Sequence, residues 1–212
     1  MSNSKKPSVS VDFYDVDVFV TVREGDSVLT KPVALDALAS IFGEVSLGSG
    51  LLPLNTLFWG KHRGKEHVGI YVPPDHYTLK WGKETFELPL PGFVFSGAGF
   101  RYRILATPER PGSPNEPLYH APLPNVYGDG TVCRGSAPFP EASTDTVHDA
   151  FEVFVKSDFS SHLTQGSSKA YPKDLRSLWR ELGEAHSYPI EDLVESDFTL
   201  RHVERGVGGV HV

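Results

Sequence analysis

The chain has 212 residues, 39% of them apolar and 22% charged, and its 20 basic against 27 acidic residues leave a formal charge of −7. That composition is a soluble globular protein's, and the acidic balance argues against a nucleic-acid footprint or a polybasic membrane anchor. One cysteine, Cys133, cannot close an internal disulfide, and no apolar run approaches the ~18 residues of a membrane span; a cytoplasmic domain held by its core alone is expected.

Residues 1–8 are polar, lack the apolar run of a signal peptide and read as a disordered leader. Val9, Val11 and Phe13 alternate on one face; the phase then slips, and Tyr14, Val16, Val18, Val20 and Val22 alternate on the other. This predicts a long strand with a bulge near residue 13 or 14. Glu24-Gly25-Asp26 is a turn, with Ser27 to Thr30 as its return strand. Pro32 opens a segment whose Leu35, Leu38, Ala39 and Phe42 follow i, i+3, i+4, i+7 spacing up to Gly43, predicting a short amphipathic helix.

Alternation resumes at Val68, Ile70 and Val72 and stops at Pro73-Pro74. Tyr77, Leu79 and Trp81 alternate next, and Gly82-Lys83 turns the chain into Phe86, Leu88 and Leu90. Phe93 to Phe95 continues or restarts that strand, Ser96 to Gly99 turns it, and Phe100, Tyr102 and Ile104 follow. These runs predict an antiparallel meander of about four strands. Residues 106–117 carry four prolines and read as a loop.

The segment 123–133 (LPNVYGDGTVC) is too rich in Gly, Pro and Asn for a regular element, yet too apolar for simple disorder. Helical faces follow at Val147, Ala150, Phe151, Phe154 and Val155, with Ser143 or Thr144 as N-cap, and at Leu175, Leu178, Trp179 and Leu182, between Pro172 and Gly183. Pro189 opens a shorter turn, and the glycine-rich tail from Arg205 reads as frayed. The order gives a single α+β domain over residues 9–204, with a leader at 1–8 and a flexible tail at 205–212. Gly208-Gly209 belongs to that tail: no compact pattern precedes it and Val210-His211-Val212 follows.

A lone cysteine is most simply a small buried hydrophobe. Cys133 instead sits on a loop and precedes Arg134-Gly135, and a neighbouring cation favours the nucleophilic thiolate. Asn125, if the loop folds back, places a side-chain amide near an oxyanion, a contribution of roughly 3–4 kcal/mol to a transition state. Its alternative role is an Asx-turn residue that organises the loop. A cysteine hydrolase would need a histidine base, for which His120, His148 and His162 are the candidates, with His120 nearest to Asn125 in sequence. No resolving cysteine supports disulfide exchange. The nine histidines show no metal-ligand spacing, and no glycine-rich phosphate loop is present, so neither a metal nor a nucleotide cofactor is expected.

Pro124-Asn125, then Gly130, Val132 and Cys133, resembles the active-site segment of ubiquitin-conjugating enzymes, in which a His-Pro-Asn tripeptide precedes the thioester cysteine, the Asn eight residues ahead. Residues 118–135 (LYHAPLPNVYGDGTVCRG) look like the prokaryotic branch of that superfamily, including the B protein of bacterial PRTRC systems and the conjugating enzymes of bacterial ubiquitin-like operons. The likeness is strongest over residues 88–136, and element order extends it to about residue 183. Leu123 departs from it, standing where the eukaryotic tripeptide has His.

The resemblance implies an α+β, UBC-like layout with an extra N-terminal hairpin. It implies that Cys133 accepts a ubiquitin-like protein from an activating enzyme as a thioester and passes it to an amine on a target protein, while Asn125 orders the loop and stabilises the oxyanion. It needs no cofactor. The implied partners are the modifier, the activating enzyme, the target and a JAB-type peptidase of the same operon, with antiviral defence as a setting. An idle UBC-fold scaffold and a cysteine hydrolase are the alternatives.

Overall fold

The computed structural model describes residues 8–14, 17–34, 37, 51–62, 65–161 and 163–206. Contacts divide the chain into two units, Met1–Gly50 and Leu51–Val212.

The first unit contains an antiparallel sheet in the order β1 (Ser8–Tyr14), β2 (Asp17–Glu24), β3 (Ser27–Val33). Tyr14 pairs with Asp17 and Val9 with Val22, so the phase slip marks a chain reversal and not a bulge within one strand. The reversal itself sends the alternation to the other phase while Val9, Val11 and Phe13 share a sheet face with their partners Val22, Val20 and Val18. The second turn lies where the sequence puts it, with Gly25 at φ +60° and Glu24 paired with Ser27. Pro32 belongs to β3, opposite Phe19. The helix expected over Leu35, Leu38, Ala39 and Phe42, the leader before Ser8 and the tail beyond Gly206 lie outside the described residues.

The second unit is α+β. A six-stranded antiparallel sheet runs in the order β12 (Glu195–Thr199), β10 (Pro117–His120), β9 (Arg101–Thr107), β8 (Gly92–Ala98), β5 (Lys65–Val72), β4 (Thr56–His62). A smaller sheet has the order β11 (Asp158–Phe159), β6 (Asp75–Trp81), β7 (Glu84–Leu90). Among the described residues, α-helices lie at α1 (Val147–Val155), α2 (Leu175–Leu182) and α3 (Leu200–Arg205).

The expected meander is therefore split. The β6–β7 hairpin leaves the main sheet, and β5 pairs directly with β8, Ile70 opposite Phe95. Prolines explain the division. They donate no backbone hydrogen bond, so Pro73-Pro74 ends one ladder and Pro91 separates β7 from β8, while Pro89 is tolerated because β7 is an edge strand. The β8–β9 turn also comes later than expected, since β8 runs to Ala98 and pairs it with Arg101.

Alternation along the central strands sorts two apolar layers. Ile70, Phe93, Phe95, Tyr102 and Ile104 are fully buried beneath α1, where Phe95 stacks on Tyr102 at 5.3 Å and meets Phe151 edge-on at 5.4 Å. The opposite face buries Val94, Leu105 and Leu118 under Leu200 and Val203 of α3. Each such side chain contributes roughly 1.5–3 kcal/mol on burial, which makes the sheet the rigid base on which the loop after β10 is carried.

Helix α2 is capped by Asp174, whose carboxylate accepts from the Ser177 amide at 3.2 Å and its hydroxyl at 2.6 Å. At its centre Trp179 is fully buried, edge-on to Trp81, Phe86 and Phe159. Its indole N–H donates to Pro122 O at 3.1 Å, fixing the chain just ahead of the Cys133 loop. No helix among the described residues is long and apolar enough to cross a membrane.

Candidate active site

The segment from Asn125 to Cys133 folds into a tight antiparallel turn. Val126 bridges Val132, the Tyr127 amide donates to Thr131 O at 2.9 Å, and the Cys133 amide donates to Asn125 O at 2.8 Å. At the tip, one Asp129 carboxylate oxygen accepts from the Thr131 amide and the other from its hydroxyl, both at 2.9 Å.

This turn is fastened to β9. The Ile104 amide donates to Gly130 O at 2.8 Å, and the Val132 amide to Tyr102 O at 2.9 Å. Gly130 has φ +80°, and a Cβ there would lie 3.0 Å from Arg103 Cγ, Ile104 O and Leu105 Cδ2. Both the conformation and the space demand glycine, which is the physical content of a Gly three residues before the cysteine.

Asn125 holds a left-handed backbone at φ +59°, which asparagine tolerates better than most residues. Its side chain is anchored across the cleft. Nδ2 donates to Asp158 O at 3.3 Å, and Oδ1 accepts from the Ser160 hydroxyl at 3.0 Å. An amide nitrogen carries two hydrogens, and the second has no acceptor among the described residues. The loop-ordering and hydrogen-bond-donating roles expected of Asn125 are thus geometrically compatible in one side chain.

Cys133 is half-buried in a cleft of about 580 Å³ shared with Asn125, Arg134, Lys156, Asp158 and Ser160. The far wall comes from the end of α1 and from β11. Phe159 of β11 packs on Phe154 at 5.4 Å, and β11 runs parallel to β6 with Asp158 opposite Lys80. The neighbouring Cys133, first by hydrogen bonding and then by charge, raises the Tyr127 phenol's pKa above its usual value. The Arg134 guanidinium lies over the Phe100 ring, 5.9 Å from its centroid.

No histidine lines this cleft among the described residues. The His148 ring is within 3.3 Å of Leu54 O, and His162 lies outside the described residues. His120 lines a separate cavity of about 430 Å³, which Tyr127 also lines, and burial lowers its pKa against a weaker opposing effect of Asp197. Nor do three metal-ligating side chains converge anywhere among the described residues.

Sequence reasoning missed Tyr127, Asp158 and Ser160. Tyr127 carried a signal, since a residue two beyond Asn125 in a hairpin-like turn shares the face of Asn125 and Cys133. Asp158 and Ser160 carried none, because only the packing of β11 against β6 brings them to the loop.

No curated protein and no solved structure matches the chain. The family model described as prokaryotic E2 family D matches residues 36–196, which contain the whole of the six-stranded sheet's central strands, the Cys133 turn and both helices beside it. By that match the chain belongs to prokaryotic E2 family D.

Proposed function

We propose that the chain carries a ubiquitin-like protein as a thioester on Cys133 and transfers it to an amine of a target protein. Family membership makes a conjugating-enzyme-like role the starting point. The observation that carries the finer reading is the Asn125 amide, held beside the cysteine turn by Asp158 O and Ser160 with one N–H left over. The UBC-like layout belongs to the same reading: a sheet with an apolar layer on each face, the cysteine turn fastened to β9, then helices.

The chemistry is two acyl transfers. Cys133 Sγ attacks the thioester carbonyl delivered by an activating enzyme, a carbon–sulfur bond forms, and the carbonyl electron pair moves onto oxygen. The Asn125 N–H donates to that oxyanion. Collapse expels the activating enzyme's sulfur as thiolate. An acceptor amine then attacks the Cys133 thioester, a carbon–nitrogen bond forms, and Cys133 leaves as thiolate while the ammonium proton passes to solvent. Asp158 lines the same cleft, and its negative charge favours an approaching ammonium. Neither step needs a resident histidine.

The test is incubation with a cognate activating enzyme, its ubiquitin-like protein and ATP. A reductant-sensitive adduct that disappears with Cys133→Ala, and turns into a reductant-resistant oxyester with Cys133→Ser, is the expected outcome. A modifier that binds without forming an adduct would make the chain a scaffold. Thioester cleavage without ATP would make it a hydrolase.

A further inference from the structure

Arg103 approaches the Cys133 turn from beneath, on the sheet face that α3 covers. It is 6% exposed, yet its charge is poorly compensated. Nη2 stands 3.8 Å from the Asp129 carboxylate, Nη1 is 3.5 Å from Gly206 O, and Nε has no partner among the described residues. Its cross-strand neighbour Ser96 is fully buried, and its hydroxyl is likewise unpartnered. The guanidinium lies over Phe198, 4.9 Å from the ring centroid. Burial pulls the arginine's pKa below its usual value, and Asp129 opposes this only in part.

A cation held on these terms is a poor choice for packing, because an apolar side chain of similar length would fill the space without the desolvation cost. What an apolar chain could not do is act on Asp129. That carboxylate already holds the Thr131 amide and hydroxyl, so its position sets the tip of the turn. The stem of Arg103 also forms the floor under Gly130 Cα, and Arg103 itself bridges Thr131, two residues before Cys133. The same side chain touches Phe198 of β12 and Gly206 at the end of α3.

We infer that Arg103 is a positioning residue for Cys133, clamping the Asp129–Thr131 turn from below and tying its seat to the β12–α3 segment. The consequence for transfer rests on the carrier role of Cys133 proposed above, whereas the clamp itself is read from the thiol alone. Without the guanidinium the turn keeps its backbone bonds to β9, but Asp129 loses its counter-charge and the tip its tie to the β12–α3 segment. The tip between the two arms then loosens, and the Cys133 thiol on one arm becomes more open to reagent.

The experiment compares Arg103→Met, Arg103→Lys, Asp129→Asn and the Arg103→Met/Asp129→Asn pair in the full chain. It reads thermal melting and the rate of Cys133 alkylation by iodoacetamide across neutral and mildly alkaline pH. The Met variant is expected to melt at or near the parent temperature while alkylating several-fold faster, with its pH profile displaced. The Lys variant should return part of the way. Asp129→Asn should reproduce the change, and the pair should add little to either single variant. A folded Met variant with the parent's rate and profile would overturn the clamp, as would full additivity of the pair. Should the Met variant fail to fold, Asp129→Asn decides alone, since that side chain is half-exposed. These rates require no activating enzyme or modifier, so their outcome is separate from that of the adduct assay.

Discussion

The Cys133 amide donates to the Asn125 carbonyl at 2.8 Å, closing the two residues into one turn although eight positions separate them. The bond ties the sulfur-bearing residue to the backbone of the residue whose side-chain amide faces the cleft. Moving either one moves the other, so the turn, not either residue alone, is the unit on which the proposed transfer depends.

Asn125→Gly tests that unit most cleanly. Glycine accepts the left-handed backbone at φ +59° without strain, so the turn survives while the amide is lost. Adduct formation should fall by about a hundredfold or more, the loss typical of one oxyanion donor. Alkylation of Cys133 by iodoacetamide, which develops no oxyanion, should stay close to the parent rate. Equal losses in both assays would place Asn125 in loop ordering only.

Gly130→Ala should damage the turn from its other end. The added methyl meets Ile104 O at 3.0 Å in a conformation that L residues disfavour, and Ile104 O is backbone that cannot move aside. The expected destabilisation is on the order of 1–3 kcal/mol. Urea unfolding monitored by circular dichroism measures it. Gly128→Ala, with nothing near its Cβ position, should cost far less.

How much of this was readable in the chain differs by element. The Cys133 turn was legible because its constraints are local: Gly130 must be glycine, Asn125 must tolerate a left-handed backbone, and both are visible as residue types. Helix faces at Val147–Val155 and Leu175–Leu182 were legible from their spacing. The far wall of the cleft was not. β11 is two residues long and pairs in parallel with β6, 78 positions upstream, so no periodicity could betray Asp158. β12 was hidden for a related reason: its ESDFT sequence has no apolar alternation, and it is a strand because Pro117 and Tyr119 pair with it. The bulge read near Tyr14 shows the converse failure, since a tight reversal and a bulge shift the alternation in the same way.

Trp179 should report on whether the wall and the loop are one assembly. Trp179→Phe keeps most of the buried ring but removes the donor to Pro122 O, costing about 1 kcal/mol for the bond plus the desolvation of an unpaired carbonyl. Trp179→Ala should cost about 3–5 kcal/mol, because the ring is fully buried among Trp81, Phe86 and Phe159. The Phe variant is the informative one. If Pro122 steers the loop, its adduct yield should drop more than its small loss of stability explains, as judged from urea midpoints and adduct assays on the same preparation.

Acidification should weaken the fold through His67. Burial is the largest cause lowering its pKa from 6.5, the Arg103 charge adds to it, and Glu204 opposes both. Its Nε2 has no partner among the described residues, so the folded state holds the ring neutral. The linkage then has one sign. As pH falls below about 6.5 the unfolded chain takes up a proton that the folded chain resists, so stability drops until the lowered folded value is reached and levels off beneath it. His120, lowered mainly by burial with Asp197 opposing, shifts stability in the same direction. Urea midpoints measured from neutral pH downward should therefore decline more steeply in the parent than in His67→Gln, which has no proton to gain. Parallel declines in the two proteins would assign the acid sensitivity to the carboxylates instead.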